Sequence, residues 1–300
     1  MKFKSYYTIL GLTLLSSCSF NKVFLKPIKI PAAAAKGFSF SIPPDTVKTK
    51  IKFEGDTHQV TFSQKGKELD LDYTVENVMF KSANGNNLNG WMLKPKNQTA
   101  TITILHFHGN GGFLLNHYRA IDPLMKSGNF QIFMVDYSGF GFSEGKATRE
   151  NVLTDGLSAF DYLKARPDVK DTKLIIYGQS LGGNLAAVVA KEKQQDVDGL
   201  VIEGGFSSHK DVAKSRGGFL GKLVVKEMYS SKEAIKDFRK PVLVIHSSED
   251  KVVPFALGKK IFENANQPKE FYEIKHKHIE GPTFYGEIIS EKIKGLLSKK

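Results

Sequence analysis

The polar and apolar positions change rhythm once along the chain. Residues 58–63 and 73–81 carry β-branched and aromatic residues, and Asn84-Gly85-Asn86-Asn87 supplies turn chemistry before residues 88–94, so a β-hairpin is expected at the start of the folded part. From residue 101 onward the apolar positions gather into short, nearly uninterrupted runs at 101–108, 131–136, 173–178, 199–203, 241–246 and 270–275. A strand buried on both faces of a parallel sheet has this pattern, because neither of its faces meets water. Between the runs the spacing turns helical: Leu153, Leu157, Phe160 and Leu163 place one apolar face toward a sheet. Alternating strand and helix predict an α/β fold with a mostly parallel central sheet flanked by helices. In such a sheet the loops at the carboxyl ends of the strands form the ligand crevice, so chemistry is sought there.

Three hundred residues, 41% of them hydrophobic, are enough for one large core, and a charged fraction of 25% excludes disorder for the bulk of the chain. The formal charge of +12 would suit a polyanion, but the lysines are scattered and no basic stripe interleaves with aromatics, so no nucleic-acid partner is expected. The first residues modify this picture. Lys2 and Lys4 precede an apolar stretch at 6–15 that has the length of a secretory core and is too short to span a bilayer. Leu15-Ser16-Ser17-Cys18 follows and resembles the bacterial lipobox, and Cys18 is the chain's only cysteine. That resemblance implies an export signal over 1–17, lipidation of Cys18, and a membrane-anchored lipoprotein facing the periplasm or the cell surface. The Lys-, Pro- and Ala-containing stretch 18–45 is then expected to be a tether and 46–300 the catalytic domain.

One element carries an unmistakable chemical signature. Residues 173–177 run into Gly178-Gln179-Ser180-Leu181-Gly182-Gly183, followed at once by the helix-like stretch 184–190. A Gly-x-Ser-x-Gly between strand and helix is a nucleophile elbow, with small residues around a serine whose hydroxyl projects from a tight turn. A serine hydroxyl needs a base to take its proton and an acid to orient that base, and in this fold they follow in the order serine, acid, histidine. The run 241–246 ends in Ser247-Ser248-Glu249-Asp250, which offers two carboxylates. The run 270–275 ends in His276-Lys277-His278, and His278, in the loop past the strand, suits a base better than His276. For the oxyanion, the glycines of His108-Gly109-Asn110-Gly111-Gly112 let backbone amides point inward, so the Asn110 and Leu181 N–H groups are the expected donors. His106 and His108 lack further ligands nearby, and neither glycine loop continues into a phosphate or dinucleotide motif; no metal and no cofactor are expected.

Taken in order, His108-Gly109-Asn110-Gly111-Gly112, the stretch from Asp136 to Gly145, Gly178-Gln179-Ser180-Leu181-Gly182, Glu203-Gly204-Gly205-Phe206-Ser207-Ser208 and the Asp250 segment resemble the ABHD-type group of α/β-hydrolases over residues 73–297. The resemblance implies an α/β-hydrolase fold and singles out Asp250, since His246 to Pro254 is similar to the family's acid-bearing segment. It departs in one place: a glycine usually precedes the base, where Lys275, His276 and Lys277 stand. The implied activity is cleavage of a small-molecule ester or thioester through an acyl-enzyme on Ser180. A serine peptidase with the same triad and a non-catalytic, surface-tethered binding protein are the alternatives. Only a short lid insertion fits between residues 206 and 240, so an open site is expected, with Phe206, Phe219, Leu220, Leu223 and Met228 either walling it or forming helix core.

Overall fold

A computed structural model describes residues 24–30, 37–40, 48–54 and 58–298; the expected signal segment and Cys18 lie outside the described residues. The strands are β1 (Lys26–Pro27), β2 (Phe38–Phe40), β3 (Thr49–Glu54), β4 (Gln59–Gln64), β5 (Lys67–Glu68), β6 (Tyr73–Lys81), β7 (Asn87–Pro95), β8 (Ile102–Phe107), β9 (Gly111–Gly112), β10 (Phe130–Val135), β11 (Lys173–Gln179), β12 (Gly199–Glu203), β13 (Val242–Ser247) and β14 (Lys269–Ile274). The helices are α1 (Leu114–Ile121), α2 (Pro123–Ser127), α3 (Arg149–Lys164), α4 (Leu181–Glu192), α5 (His209–Val224), α6 (Ser231–Asp237), α7 (Phe255–Asn264) and α8 (Gly281–Ser298).

Eight strands form the central sheet in the order β14-β13-β12-β11-β8-β10-β7-β6. The pairs from β10 to β14 are parallel, while β7 runs antiparallel to both β10 and β6, which gives the expected hairpin. Period-two alternation along β11 divides its side chains between two cores. Leu174 and Ile176 pack with Phe160 of α3 and Leu185 of α4, whereas Ile175 and Tyr177 pack with Leu114 of α1 and Ile293 of α8. Both faces are therefore sealed, which is why these strands carry almost no polar positions.

Two features depart from the sequence-based expectation. The run at 58–63 is not part of the opening hairpin; as β4 it belongs to a separate antiparallel sheet of order β2-β3-β4-β5. Its inward Ile51, Phe53, Val60 and Phe62 cover one end of the second core, where the Phe62 ring lies 5.4 Å from Tyr118 and 6.3 Å from Trp91. The stretch expected to be a tether is also partly bound to the domain. Phe24 and Leu25 are buried, and β1 pairs in parallel with β9, with Lys26 N–H donating to the Asn110 carbonyl at 2.7 Å. Two apolar residues and a two-residue strand are too short to show a period, so their docking depends on contacts distant in sequence.

Candidate active site

The β11–α4 turn holds Ser180 at φ 56°, ψ −116°, a conformation that costs a non-glycine residue about 1–3 kcal/mol and persists only where its surroundings enforce it. They do so from three sides. A Cβ at Gly178 would overlap the Gly182 carbonyl oxygen, and one at Gly182 would overlap the Phe107 carbonyl, so β11, α4 and β8 meet at a spacing only glycine permits. Ser180 N–H donates to the Glu203 carbonyl at 2.9 Å, and Gly183 N–H donates back to the Ser180 carbonyl at 3.0 Å.

Asp250, past the end of β13, has a side chain only 1% exposed. Its Oδ1 accepts from the Val252 and Val253 amides at 2.7 and 2.9 Å, and its Oδ2 lies 2.6 Å from His278 Nδ1 and 3.4 Å from His246 Nε2. Burial alone would raise this carboxyl, but hydrogen bonds from His246 and His278 outweigh it and hold Asp250 well below the usual carboxylate range. An ionised carboxylate only accepts, so the proton at this contact sits on His278 Nδ1 and Nε2 is left as the basic nitrogen. His278 lies between β14 and α8. The strain in its loop falls after it, at Ile279 (φ 52°), and not at Lys275, His276 or Lys277, where the family's glycine is missing. Gly204 (φ 56°) lets the ring approach the β12 end, since a Cβ there would stand 3.1 Å from His278 Cε1. His276 points elsewhere: its ring stacks on Phe284 at 3.7 Å between centroids, and its Nδ1 is 3.6 Å from Glu280. Glu249 does not contact His278; its amide donates to Ser247 Oγ.

Ser180 and His278 line one cavity of about 440 Å³, together with Asn110 and Leu181. Leu181 is the first residue of α4, so its N–H has no acceptor within the helix. The Asn110 carbonyl is turned toward Lys26, and a Cβ at Gly109 would sit 3.6 Å from Ser180 Cβ, which brings the 109–112 loop beside the serine. Of the five candidate wall residues, only Phe206 lines the cavity. Phe219, Leu220, Leu223 and Met228 form neither wall nor helix core; they are exposed by 68%, 73%, 61% and 38%. The apolar wall comes instead from Phe24, Ile28, Val212, Val252 and Ile279.

Beneath the loop lies a polar layer that inspection of the sequence does not reveal. His108 Nδ1–H donates to the Gly109 carbonyl at 2.7 Å, His117 Nε2–H to the Gly111 carbonyl at 2.5 Å, and Asp136 Oδ1 accepts from the Leu114 amide at 2.9 Å. Burial pushes both histidines down to about 4 and Asp136 up to about 8, so burial disfavours the charged form of each group in this layer. His106 turns to Gln179 Oε1 at 3.0 Å, and among the described residues no three His, Cys, Asp or Glu side chains are grouped to hold a metal.

Glu203 is the other residue missed. At the end of β12, 1% exposed, it accepts from Tyr177 Oη at 2.8 Å and Gln179 Nε2 at 2.7 Å through Oε2, and from Gly281 N–H at 2.7 Å through Oε1. It thereby joins the residue before Ser180 to the start of the helix that follows His278. An acidic residue closing the otherwise apolar Gly199–Glu203 run was the available signal. Glu203→Gln directs an amide N–H at one of these donors, and a buried mismatch of this kind is expected to destabilise the protein by about 1–3 kcal/mol, measured as a lower midpoint in urea.

A serine at a strained strand-to-helix turn, lining one cavity with a histidine held by a buried aspartate at strand carboxyl ends, defines the hydrolases built on this sheet. The chain belongs to the α/β-hydrolase superfamily. Residues 102–220 match the family model described as alpha/beta hydrolase fold. The chain is 34% identical over 212 residues to the uncharacterised protein YfhR of Salmonella typhi, covering 65% of this chain and 71% of that one. It is 27% identical over 221 residues to the lysophosphatidylserine lipase ABHD12 of Xenopus tropicalis, covering 68% of this chain and 56% of that one. Among solved structures, the Pyrococcus furiosus esterase Pf2001 shares the fold with a TM-score of 0.60 at 17% identity, over 75% of this chain and 92% of that one.

Proposed function

We propose that this protein is a serine hydrolase that cleaves carboxylic ester or thioester bonds through an acyl-enzyme on Ser180. The observation that carries the reading is the 2.6 Å contact between Asp250 and His278 Nδ1, which leaves Nε2 basic in the cavity that Ser180 lines. Ser180 Oγ attacks the substrate carbonyl as His278 Nε2 takes its proton, and Asp250 stabilises the resulting imidazolium. The Asn110 and Leu181 amides receive the oxyanion. His278 then protonates the leaving alcohol or thiol, and water, activated by the same nitrogen, releases the acid and restores Ser180. The esterase structures and the lipase relative agree in reaction class with this reading.

The test is labelling with a fluorophosphonate, followed by a panel of activated esters, thioesters and peptides. Expected are covalent capture at Ser180 and ester or thioester turnover exceeding amide turnover. Absence of labelling would return the protein to the binding class, and preferential amide cleavage would make it a peptidase.

We also propose that Cys18 is lipidated after signal cleavage and anchors the domain to a membrane, on the strength of the Leu15-Ser16-Ser17-Cys18 sequence behind a short apolar core. Cys18→Ala is expected to release the protein into the soluble fraction or leave it as an uncleaved precursor. Mass spectrometry of the mature N-terminus decides it: an unmodified terminus beyond residue 18 would overturn the anchor.

A further inference from the structure

Helix α5 breaks in its middle, where Gly217 (φ −126°, ψ 18°) and Gly218 (φ 59°, ψ −151°) leave helical geometry. The part before the break is anchored through the buried His209, Asp211 and Val212. No residue of the helix after the break is buried. Phe219, Leu220, Leu223 and Val224 fall at i, i+1, i+4 and i+5, one face of a helical turn, and all four are exposed by half or more. Of the ten exposed large apolar side chains among the described residues, seven lie here or on the adjoining rim of the catalytic cavity: these four, Met228, Ile28 and Val252. Such clustering distinguishes a contact surface from the scattered exposure any protein shows.

Three observations identify what covers this face. Lys214, Arg216, Lys222 and Lys226 are exposed along the same segment. The two acids that could offset them face inward: Asp211 is bound by Lys232 and Lys260 at 2.8 and 2.9 Å, and Glu227 by the His209 and Lys210 amides at 2.9 and 3.2 Å. An apolar ridge flanked by cations suits an interface that is apolar below and anionic at its surface. Finally, Phe24, the first described residue, lines both the catalytic cavity and the apolar groove under Arg216, Gly217 and Gly221, so the described chain begins at this face.

We propose that the 214–228 segment is a docking surface for an anionic lipid bilayer, on which Phe219, Leu220, Leu223 and Val224 enter the headgroup–acyl boundary while the flanking cations meet anionic headgroups. Arg216 and Val252 belong both to the rim of the cavity and to this face, so docking turns the mouth of the cavity toward the lipid. The surface does not depend on the hydrolase assignment, and its test involves no turnover.

The experiment uses the full chain carrying Cys18→Ser, which removes the only native cysteine, with Leu223→Cys labelled by an environment-sensitive fluorophore; Asp171→Cys, before the amino end of β11 and so at the opposite end of the strands, is the control. Added to vesicles of phosphatidylcholine with phosphatidylglycerol, the label at 223 is expected to shift to the blue and to be quenched by spin-labelled lipid, and the label at 171 to do neither. Raising the salt concentration is expected to reverse part of the effect. Phe219→Ser, Leu220→Ser and Leu223→Ser combined are expected to weaken vesicle partitioning by about tenfold or more, with the unlabelled Cys18→Ser chain as reference and its N-terminal segment common to both. No response at 223, or an equal response with phosphatidylcholine alone, would overturn the proposal. So would a label already buried before vesicles are added in a protein that sediments as a dimer, which would make a second copy the occupant.

Discussion

Ser180→Ala is expected to lower kcat on activated esters by about a millionfold, with the far-UV circular dichroism spectrum and urea midpoint close to wild type. The size follows from chemistry: without Oγ no acyl-enzyme can form, and what remains is the effect of the oxyanion donors on direct attack by water. The preserved fold follows from geometry. Alanine at φ 56° bears the same backbone strain as serine, and the contacts that enforce that strain, Ser180 N–H to the Glu203 carbonyl and Gly183 N–H to the Ser180 carbonyl, are made by main-chain atoms. A variant that retained wild-type rates would remove Ser180 from the mechanism. A variant that lost both activity and fold would show that the hydroxyl is a structural element of the turn.

The elbow was legible in the sequence because every part of it is local: an apolar run, glycines at fixed offsets and a helix-like continuation. The strands past residue 101 were legible because sealing both faces of a sheet leaves runs no loop would carry. The second sheet was less so. Thr49–Glu54 does alternate inward and outward along its whole length, with Lys50, Lys52 and Glu54 outward, but Thr49 takes one of the three inward positions, so only Ile51 and Phe53 signal a buried face. What could not be read is what distant segments do to one another. That Phe24 would line the cavity that Ser180 opens into, that Asp136 would be buried beneath the 109–112 loop, and that Glu203 would reach from β12 to Gly281 depend on contacts spanning tens to more than a hundred residues. The exposed face of α5 was misread for the opposite reason. Its apolar spacing was visible, but periodicity shows only that a face is apolar and not whether the protein supplies its cover, and the break at Gly217 and Gly218 turned it outward.

The two histidines after β14 are expected to separate by orders of magnitude. His278→Ala should lower kcat/KM on activated esters by about 10⁴ or more, because it removes the base and leaves Asp250 facing the cavity without its partner. His276→Ala should stay within a few fold of wild type. The change removes the stack on Phe284, the edge contact with Tyr285 and the 3.6 Å approach to Glu280, while the contacts that fix this stretch, Ser247 Oγ with the His276 carbonyl and the His276 amide with Ser247 Oγ at 3.1 Å, survive any side-chain change. Asp250→Asn tests the same geometry from the other side. The amide keeps the shape but can donate to Nδ1, favouring the tautomer with Nε2–H, and a fall of about 10⁴ in kcat is expected even though no reacting atom is removed. The stability curve supplies an independent check. Asp250 is held below its unfolded value, so its contribution is fully present above the ordinary carboxylate pKa and is lost as the pH falls through the folded one. Relative to wild type, Asp250→Asn is therefore expected to be most destabilised at neutral pH, with the difference narrowing below about pH 4, in urea melts across the acid range. A gap that stayed constant with pH would mean that Asp250 carries no native charge interaction, and equal rates for the two histidine variants would mean that its contact with His278 does not orient the base.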